Sequence, residues 1–566
     1  MVAEVALETG GARTPARALA PARALLVALA WAGAMVFCLR YILLSGFDLG
    51  YSDRGDGVIE IALLEHWRNV FQGTEDWRAP LFFHPWGDGL GYNDGYFLYG
   101  VVYSLARTVF DPFISDTVNA VVFKTIGFFS AFALFRGPLA WSFDRALLAA
   151  VLFSIANSLG LQIGHAQLET LALTPLMAIL VCRGWQAGAA GRRLAASLWG
   201  VAAAVLMAAW LITAYYFAWF SAYFAGFFLL FWLRETGQLN PRAMLGLARR
   251  AAPMLIAPAA VFAVACIPFL MVYLPKVAET GAHPFNDAQQ YLTMIYDPVN
   301  SGPGNIFWGW IARGLGAVIK HKYSLGEHES GLPLLQFALL AVALRQLLKT
   351  PRAASRPLLK ALAWTILVTW ALTLQFGPVS PWRLIYWFAP GARGLRTVVR
   401  YQIFLTLPVL VLVFAHYADR WARLRQAQPW LAAGLATLLL VENVNFESPA
   451  NLSRTVELAQ IRAIPAPPAA CKVFSVAKAS ATEGVYANPK TNALYPHNVD
   501  AMLLSELWRM PTVNGFSTFN PPDWNFADPS RPDYPARVRA YGERHDLHGL
   551  CLLDMRQPQP WSLVRP

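Results

Sequence analysis

The chain has 566 residues, 56% of them hydrophobic and 14% charged, with a formal net charge of +12 and a pI near 9.5. Soluble domains carry about 25% charged residues, so this composition, with a mean hydropathy of +0.39, excludes a disordered chain and argues against an ordinary soluble enzyme. The basic surplus does not gather into one stripe, as nucleic-acid binding requires; Lys and Arg stand in short clusters between apolar runs, the pattern of a polytopic membrane protein that binds no nucleic acid.

A spanning helix needs about 20 mostly apolar residues. Such runs lie at 24–44, 116–136, 145–164, 167–183, 194–212, 214–233, 252–273, 331–348, 358–376, 400–418 and 429–444, which predicts about eleven transmembrane helices. Positive charge marks one side. Arg13, Arg17 and Arg23 precede the first run, and alternate connections carry Arg136 and Arg145, then Arg183, Arg192 and Arg193, then Arg234, Arg242, Arg249 and Arg250. Later connections on that side hold Arg345, Lys349, Arg352, Arg356 and Lys360, then Arg420, Arg423 and Arg425. The expected topology is an N-terminal tail (1–23) in the cytoplasm and a transmembrane domain (24–444) in the cytoplasmic, inner membrane. Outer loops would cover 45–115 and 274–330, and an extracytoplasmic domain 445–566. The first run is long enough to span, and no small-residue cleavage site clearly follows it, so it is expected to be a retained helix.

The first outer loop begins FDLGYSDRGDGVIEIALLEHWRNVFQG (47–73). Asp48, Asp53 and Asp56 stand among glycines, which permit tight turns, where the chain leaves the bilayer. Each Asp alone reads as a helix cap; three within so few residues exceed what one cap needs. Carboxylates also serve as general bases and as ligands for a hard divalent cation. From Val58 the pattern is amphipathic, predicting a helix that lies in the interface, and Tyr96–Phe110 predicts a second. His84, Asp88 and Asp94 lie in a Gly/Asn/Pro-rich stretch, where they serve either as turn residues or in binding a carrier.

Further along, Lys124 is a charge inside a span, which faces a cavity, pairs or snorkels. His165 and Glu169 would sit one helical turn apart, facing outward together, either bonded to each other or touching substrate. Glu327, His328 and Glu329 cluster before a later helix, as a solvated turn or as part of a site. Arg393, Arg396 and Arg400 lie on the side otherwise poor in positive charge. They suit headgroup contact or the phosphate of a lipid carrier, which Arg grips with a planar fork of donors.

The segment after 445 alternates strand-like runs (472–477, 549–555) with a helical pattern at 499–510, separated by Pro- and Asn-rich turns. A small α/β domain is expected. Cys38, Cys182 and Cys266 fall in apolar helices as packing residues. Cys471 and Cys551 lie in the two candidate strands and are disulfide candidates in an oxidising compartment. The cysteine spacing matches no zinc motif.

The order of these parts resembles the GT-C glycosyltransferases, integral membrane enzymes that take sugar from a polyprenyl-phosphate carrier outside the cytoplasm. EIALLEHWRNVFQGTEDWRAP (60–80) resembles their acidic residue, interfacial helix and GDW-x-x-P step, and PLFFHPWGDGLGYNDGYFLY (80–99) their Pro-rich aromatic stretch. GHAQLETLALTPL (164–176), GEHESGLPLLQ (326–336) and PGARGLRTVVRYQIF (390–404) resemble further motifs of that superfamily. PTVNGFSTFNPP (511–522) is similar to the outer tail of large bacterial proteins of polysaccharide or lipoteichoic-acid glycosylation. Where the family usually places Asp-Glu or Asp-x-Asp, this chain has Asp53-x-x-Asp56. The resemblance implies an all-α GT-C-like membrane fold, a donor carried on polyprenyl phosphate, and a glycan or lipid acceptor. Asp56 is the first choice of base and Asp53 the second. The competing functions are a lipid or polysaccharide transporter, which would show repeated halves and midplane polar sites, and a non-catalytic envelope-assembly protein of the same fold.

Overall fold

The computed structural model describes residues 20–318, 326–351, 356–447, 452–478 and 492–564; Arg13, Arg17 and Arg352 of the expected cytoplasmic face lie outside these residues. Helices of ten residues or more are numbered α1 to α19 in chain order. Among the described residues, eight helical stretches are long and apolar enough to cross a membrane: Pro21–Cys38, Pro112–Arg136, Phe143–Gly160, Ala166–Ala189, Arg193–Thr213, Tyr215–Glu235, Pro241–Ala265 and Val398–His416. The chain is a multi-pass membrane protein. The three remaining runs, at 331–348, 358–376 and 429–444, form helices of 16, 17 and 13 residues. The first begins only after Pro333, and the other two, which begin at Pro357 and Pro429, end three residues before their apolar runs do.

The first membrane helix, α1 (Ala20–Cys38), is followed by α2 (Asp56–Phe71) and α3 (Phe97–Ala106), both before the second membrane helix. α4 (Pro112–Arg136) starts at Asp111, whose side chain accepts from the amides of Phe113 and Ile114 at 3.1 and 3.2 Å, with Pro at the first helical position. The bundle continues with α5 (Phe143–Ser154), α6 (Leu173–Ala189), α7 (Arg193–Thr213), α8 (Tyr215–Glu235), α9 (Pro241–Ala265) and α10 (Ile267–Thr280). After α11 (Gly309–Val318) come α12 (Leu334–Lys349), α13 (Pro357–Thr373), α14 (Thr406–His416), α15 (Ala418–Ala427) and α16 (Pro429–Val441).

α2 departs from its sequence pattern. An interfacial helix would leave its polar face to water, yet Glu60, Glu65, His66 and Asn69 are as buried as Ile61 and Leu64. The polar face is occupied by protein: Glu65 takes Tyr103 Oη at 2.7 Å, the Arg107 guanidinium, and Arg68 at 3.1 Å. Buried charge persists only when paired in this way.

The C-terminal segment contains α17 (Arg454–Ala463), β1 (Val473–Lys478), α18 (Tyr495–Trp508), α19 (Tyr534–Arg544), β2 (Leu550–Asp554) and β3 (Trp561–Leu563). β1 pairs parallel with β2, Phe474 opposite Cys551, and β2 pairs antiparallel with β3. β3 has three residues, too few for an alternation to show in sequence. Cys471 and Cys551 form a disulfide with their Cα atoms 5.6 Å apart, and the other three cysteines are free. α18 packs on both β1 and α2, which brings the C-terminal segment directly onto the stretch that follows the first membrane helix.

Candidate functional site

The site is built on the turn that leads into α2. Asp53 Oδ1 accepts from the amides of Gly55 and Gly57 at 2.9 and 3.0 Å, folding the chain back on itself. Gly57 is required there, because a Cβ would lie 2.2 Å from the Cβ of Ser52. This turn delivers Asp56 as the first residue of α2 with both oxygens facing other elements. Oδ1 accepts from Tyr495 Oη of α18 at 3.0 Å, and Oδ2 lies 3.1 Å from His165 Nδ1.

The contacts continue in one line. His165 Nε2 lies 3.2 Å from Glu327 Oε1, and Arg400 grips both oxygens of Glu327, at 3.0 and 2.6 Å. Five groups from five separate stretches of chain, Tyr495, Asp56, His165, Glu327 and Arg400, thus form a continuous polar row. The Asp56 side chain keeps 36% exposure within it, so it is the carboxylate that a substrate can reach.

The electrostatics separate the two aspartates. Burial and the charge of Asp56 push Asp53 up to about 6. Burial also acts to raise Asp56, but His165 and Tyr495 outweigh it and hold that carboxyl below its usual range. Burial and Arg400 act against a charged His165, yet Glu327 and Asp56 win and raise it to about 9. An imidazole with a carboxylate at each ring nitrogen is held as the doubly protonated cation. Its Nδ1 nevertheless makes no aligned hydrogen bond, a geometry that can tighten when substrate arrives.

Other candidates go elsewhere. His165 and Glu169 do not share a face, because residues 166–172 form a 3-10 helix; at about three residues per turn, positions four apart diverge by roughly a third of a turn. Glu169 instead takes Tyr51 Oη at 2.5 Å and Lys124 Nζ at 2.8 Å inside the bundle, so Lys124 pairs and does not snorkel. Asp48 accepts from Ser453 Oγ and the Thr455 amide, both at 2.9 Å, and serves the docking of α17. His84 holds the C-terminal domain through its backbone, its amide donating to Thr512 O at 2.9 Å. Asp88 faces Arg78 at 3.5 Å, and Asp94 accepts from the Tyr215 amide at 3.0 Å.

In the segment between α10 and α12, His328 pairs with buried Asp297 at 2.7 Å, directly beside Glu327. Glu329 turns away from the row, and burial with the nearby Glu447 carboxylate raises it to about 7. Arg393 lies over Trp387, 4.4 Å from the ring centre, and Arg396 over Tyr291 at 5.4 Å. Neither arginine makes an ion pair among the described residues, whereas Arg400 is committed to Glu327. Tyr495 was missed in sequence: a tyrosine in a segment more than four hundred residues away carries no local signal that it will meet Asp56.

No family model and no curated protein matches the chain. Among solved structures it is similar to the oligosaccharyltransferase of Archaeoglobus fulgidus in its apo form, over 95% of this chain and 69% of that one, at 10% identity and a TM-score of 0.47. The roles given to residues below therefore rest on this chain's own geometry and chemistry.

Proposed function

We propose that this chain is an integral membrane glycosyltransferase that moves a sugar from a polyprenyl-phosphate carrier to a cell-envelope glycan or lipid acceptor on the extracytoplasmic face. The observation that carries the reading is the polar row from Tyr495 to Arg400, with a reachable, ionised Asp56 beside a protonated His165. Asp56 accepts the proton of the acceptor hydroxyl as its oxygen attacks the anomeric carbon. The bond from that carbon to the carrier phosphate breaks, and the phosphate leaves with the electron pair. His165 and the unpaired Arg396 and Arg393 supply the positive charge that meets it. Asp53 shapes the turn and, through its own charge, tunes Asp56.

The sequence also left room for a divalent cation near Asp56. His165 already places positive charge between Asp56 and Glu327, and a metal there would have to displace a ring proton. Transfer is therefore expected to need no divalent ion bound at Asp56.

Asp56→Asn and Asp53→Asn test the reading separately, in membrane vesicles opened to substrate and at matched expression. Loss of a positioned base costs about 10²- to 10⁴-fold, so Asp56→Asn should lose transfer on that scale while Asp53→Asn keeps a larger share. Undiminished sugar incorporation in both variants sinks the assignment. Persistent transfer in opened vesicles, with carrier lipid stranded on one leaflet of intact ones, would identify a transporter instead.

A further inference from the structure

At the other end of α2 a second set of titratable groups converges, outside the row just described. His66 and Asn69 project from α2, Glu75 from the turn after it, and Glu506 from α18. One donor atom each from His66, Glu75 and Glu506 lies within 4.8 Å of the other two, the one such group among the described residues. All are buried: His66 is fully inaccessible, Glu506 is 1% exposed and the Glu75 side chain 4%.

The hydrogen bonding leaves a deficit of positive charge. His66 Nε2 lies 3.2 Å from the carbonyl of Trp77, which can only accept, so this nitrogen carries a proton. His66 Nδ1 is thereby aimed at Glu75 Oε2, 2.8 Å away. Glu75 in turn faces Glu506 in the same buried cluster. Without a proton on Nδ1 and another on a carboxyl, two gaps, imidazole to carboxylate and carboxylate to carboxylate, set acceptors against one another. The remaining partners are ordered around them. Asn69 Nδ2 donates to Glu75 Oε1 at 2.9 Å and to Glu506 Oε2 at 3.3 Å, and the Leu81 amide donates to Glu506 Oε1 at 2.8 Å.

We propose that His66, Glu75 and Glu506 bind a divalent cation of the zinc type, which clips the C-terminal domain to the first outer loop. One divalent ion closes both gaps and balances two carboxylates, where otherwise two protons would be needed. An imidazole nitrogen with two carboxylates suits zinc better than calcium or magnesium. The carbonyl behind Nε2 and the Asn69 amide across both carboxylates are the outer contacts that orient such ligands. Zinc binds N and O donors at about 2.0–2.2 Å, so the His66–Glu75 contact must open by less than about 1 Å to admit it. The consequence for the site is positional. α2 and α18 run side by side, with Asp56 and Tyr495 meeting at their first turns and His66, Asn69 and Glu506 at their far ends. A metal at the far end sets the register in which Tyr495 meets Asp56.

The test uses the full chain in detergent, stripped with a chelator, dialysed against zinc and assayed for bound metal and for thermal unfolding. Wild type should retain about one equivalent with a raised Tm. Asp56→Asn should retain it equally, which separates this site from the row at Asp56, and Glu506→Gln should lose both the metal and the Tm shift. Because Glu506→Gln can fail to fold, zinc-edge absorption on the wild type gives the second reading. A shell of nitrogen and oxygen with one imidazole is expected; a shell with sulfur or without imidazole overturns the proposal. So does wild type that retains no zinc and unfolds at an unchanged temperature, in which case the cluster holds two protons.

Discussion

Asp53 and Asp56 stand three positions apart but are set to different tasks by what surrounds them. Asp53, turned onto the amides of Gly55 and Gly57 and facing the charge of Asp56, is pushed up to about 6. Asp56, between Tyr495 and His165, is held below its usual range. Such a coupled pair titrates in two steps that belong to the pair, and the upper one falls near 6. An ionised Asp53 makes Asp56 the stronger base, so the rate should rise as pH increases through about 6. Transfer also needs His165 charged against the leaving phosphate, so the rate should fall as pH increases through about 9. A bell-shaped profile of kcat/KM between these limits is the expected result. In Asp53→Asn the acid limb should move to lower pH, since the neighbour whose charge splits the pair is gone; an acid limb left at the wild-type position refutes this division of labour.

At the scale of elements, α2 is placed by its fit to α3. Trp67 of α2 donates from its indole to Gly95 O at 2.5 Å, and its ring lies so close to Gly100 that a Cβ there would sit 2.5 Å from the Trp67 side chain. Because that neighbour is a buried indole, a larger residue forces the two helices apart. Overpacking of this kind costs about 1–3 kcal/mol, and Gly100→Val is expected to lower the Tm of the purified protein and to reduce transfer, since α2 carries Asp56. An unchanged Tm would show that the α2–α3 contact is looser than described. The same helix shows what was legible in sequence and what was not. The apolar runs, the acidic turn at Asp53 and Asp56, and the strand-like runs around Cys471 and Cys551 are local patterns, and they could be read. The burial of the polar face of α2 could not be read in full, because α18, which covers its Asn69 end, lies more than four hundred residues further on. Nor could the divergence of His165 and Glu169, which depends on a switch to a tighter helix that neither residue type announces.

The whole molecule depends on how the C-terminal segment is held to the bundle, where buried ion pairs join the apolar contacts of Val499, Met502 and Leu503. Arg54, in the turn between Asp53 and Asp56, is 5% exposed; it contacts Glu457 of α17 at 2.7 Å and also Asp500 of α18. Arg454 adds a contact to Asp111 at 2.7 Å, at the start of α4. Burial raises Glu457 to about 7 despite Arg54 beside it, so that carboxyl is costly to keep charged without its partner. Removing one member of a buried pair leaves the others uncompensated, at about 3–5 kcal/mol. Arg54→Ala should therefore destabilise the native state on that scale and, because Asp500 shares a helix with Tyr495, weaken the contact between Tyr495 and Asp56. The expected signature is a lowered Tm together with a loss of transfer larger than that of Tyr495→Phe, which removes only one hydrogen bond to Asp56. Glu457→Gln with Asp500→Asn in the Arg54→Ala background relieves the stranded charge and should recover much of the Tm. If it recovers none, Arg54 acts by packing and the domain is not held by charge.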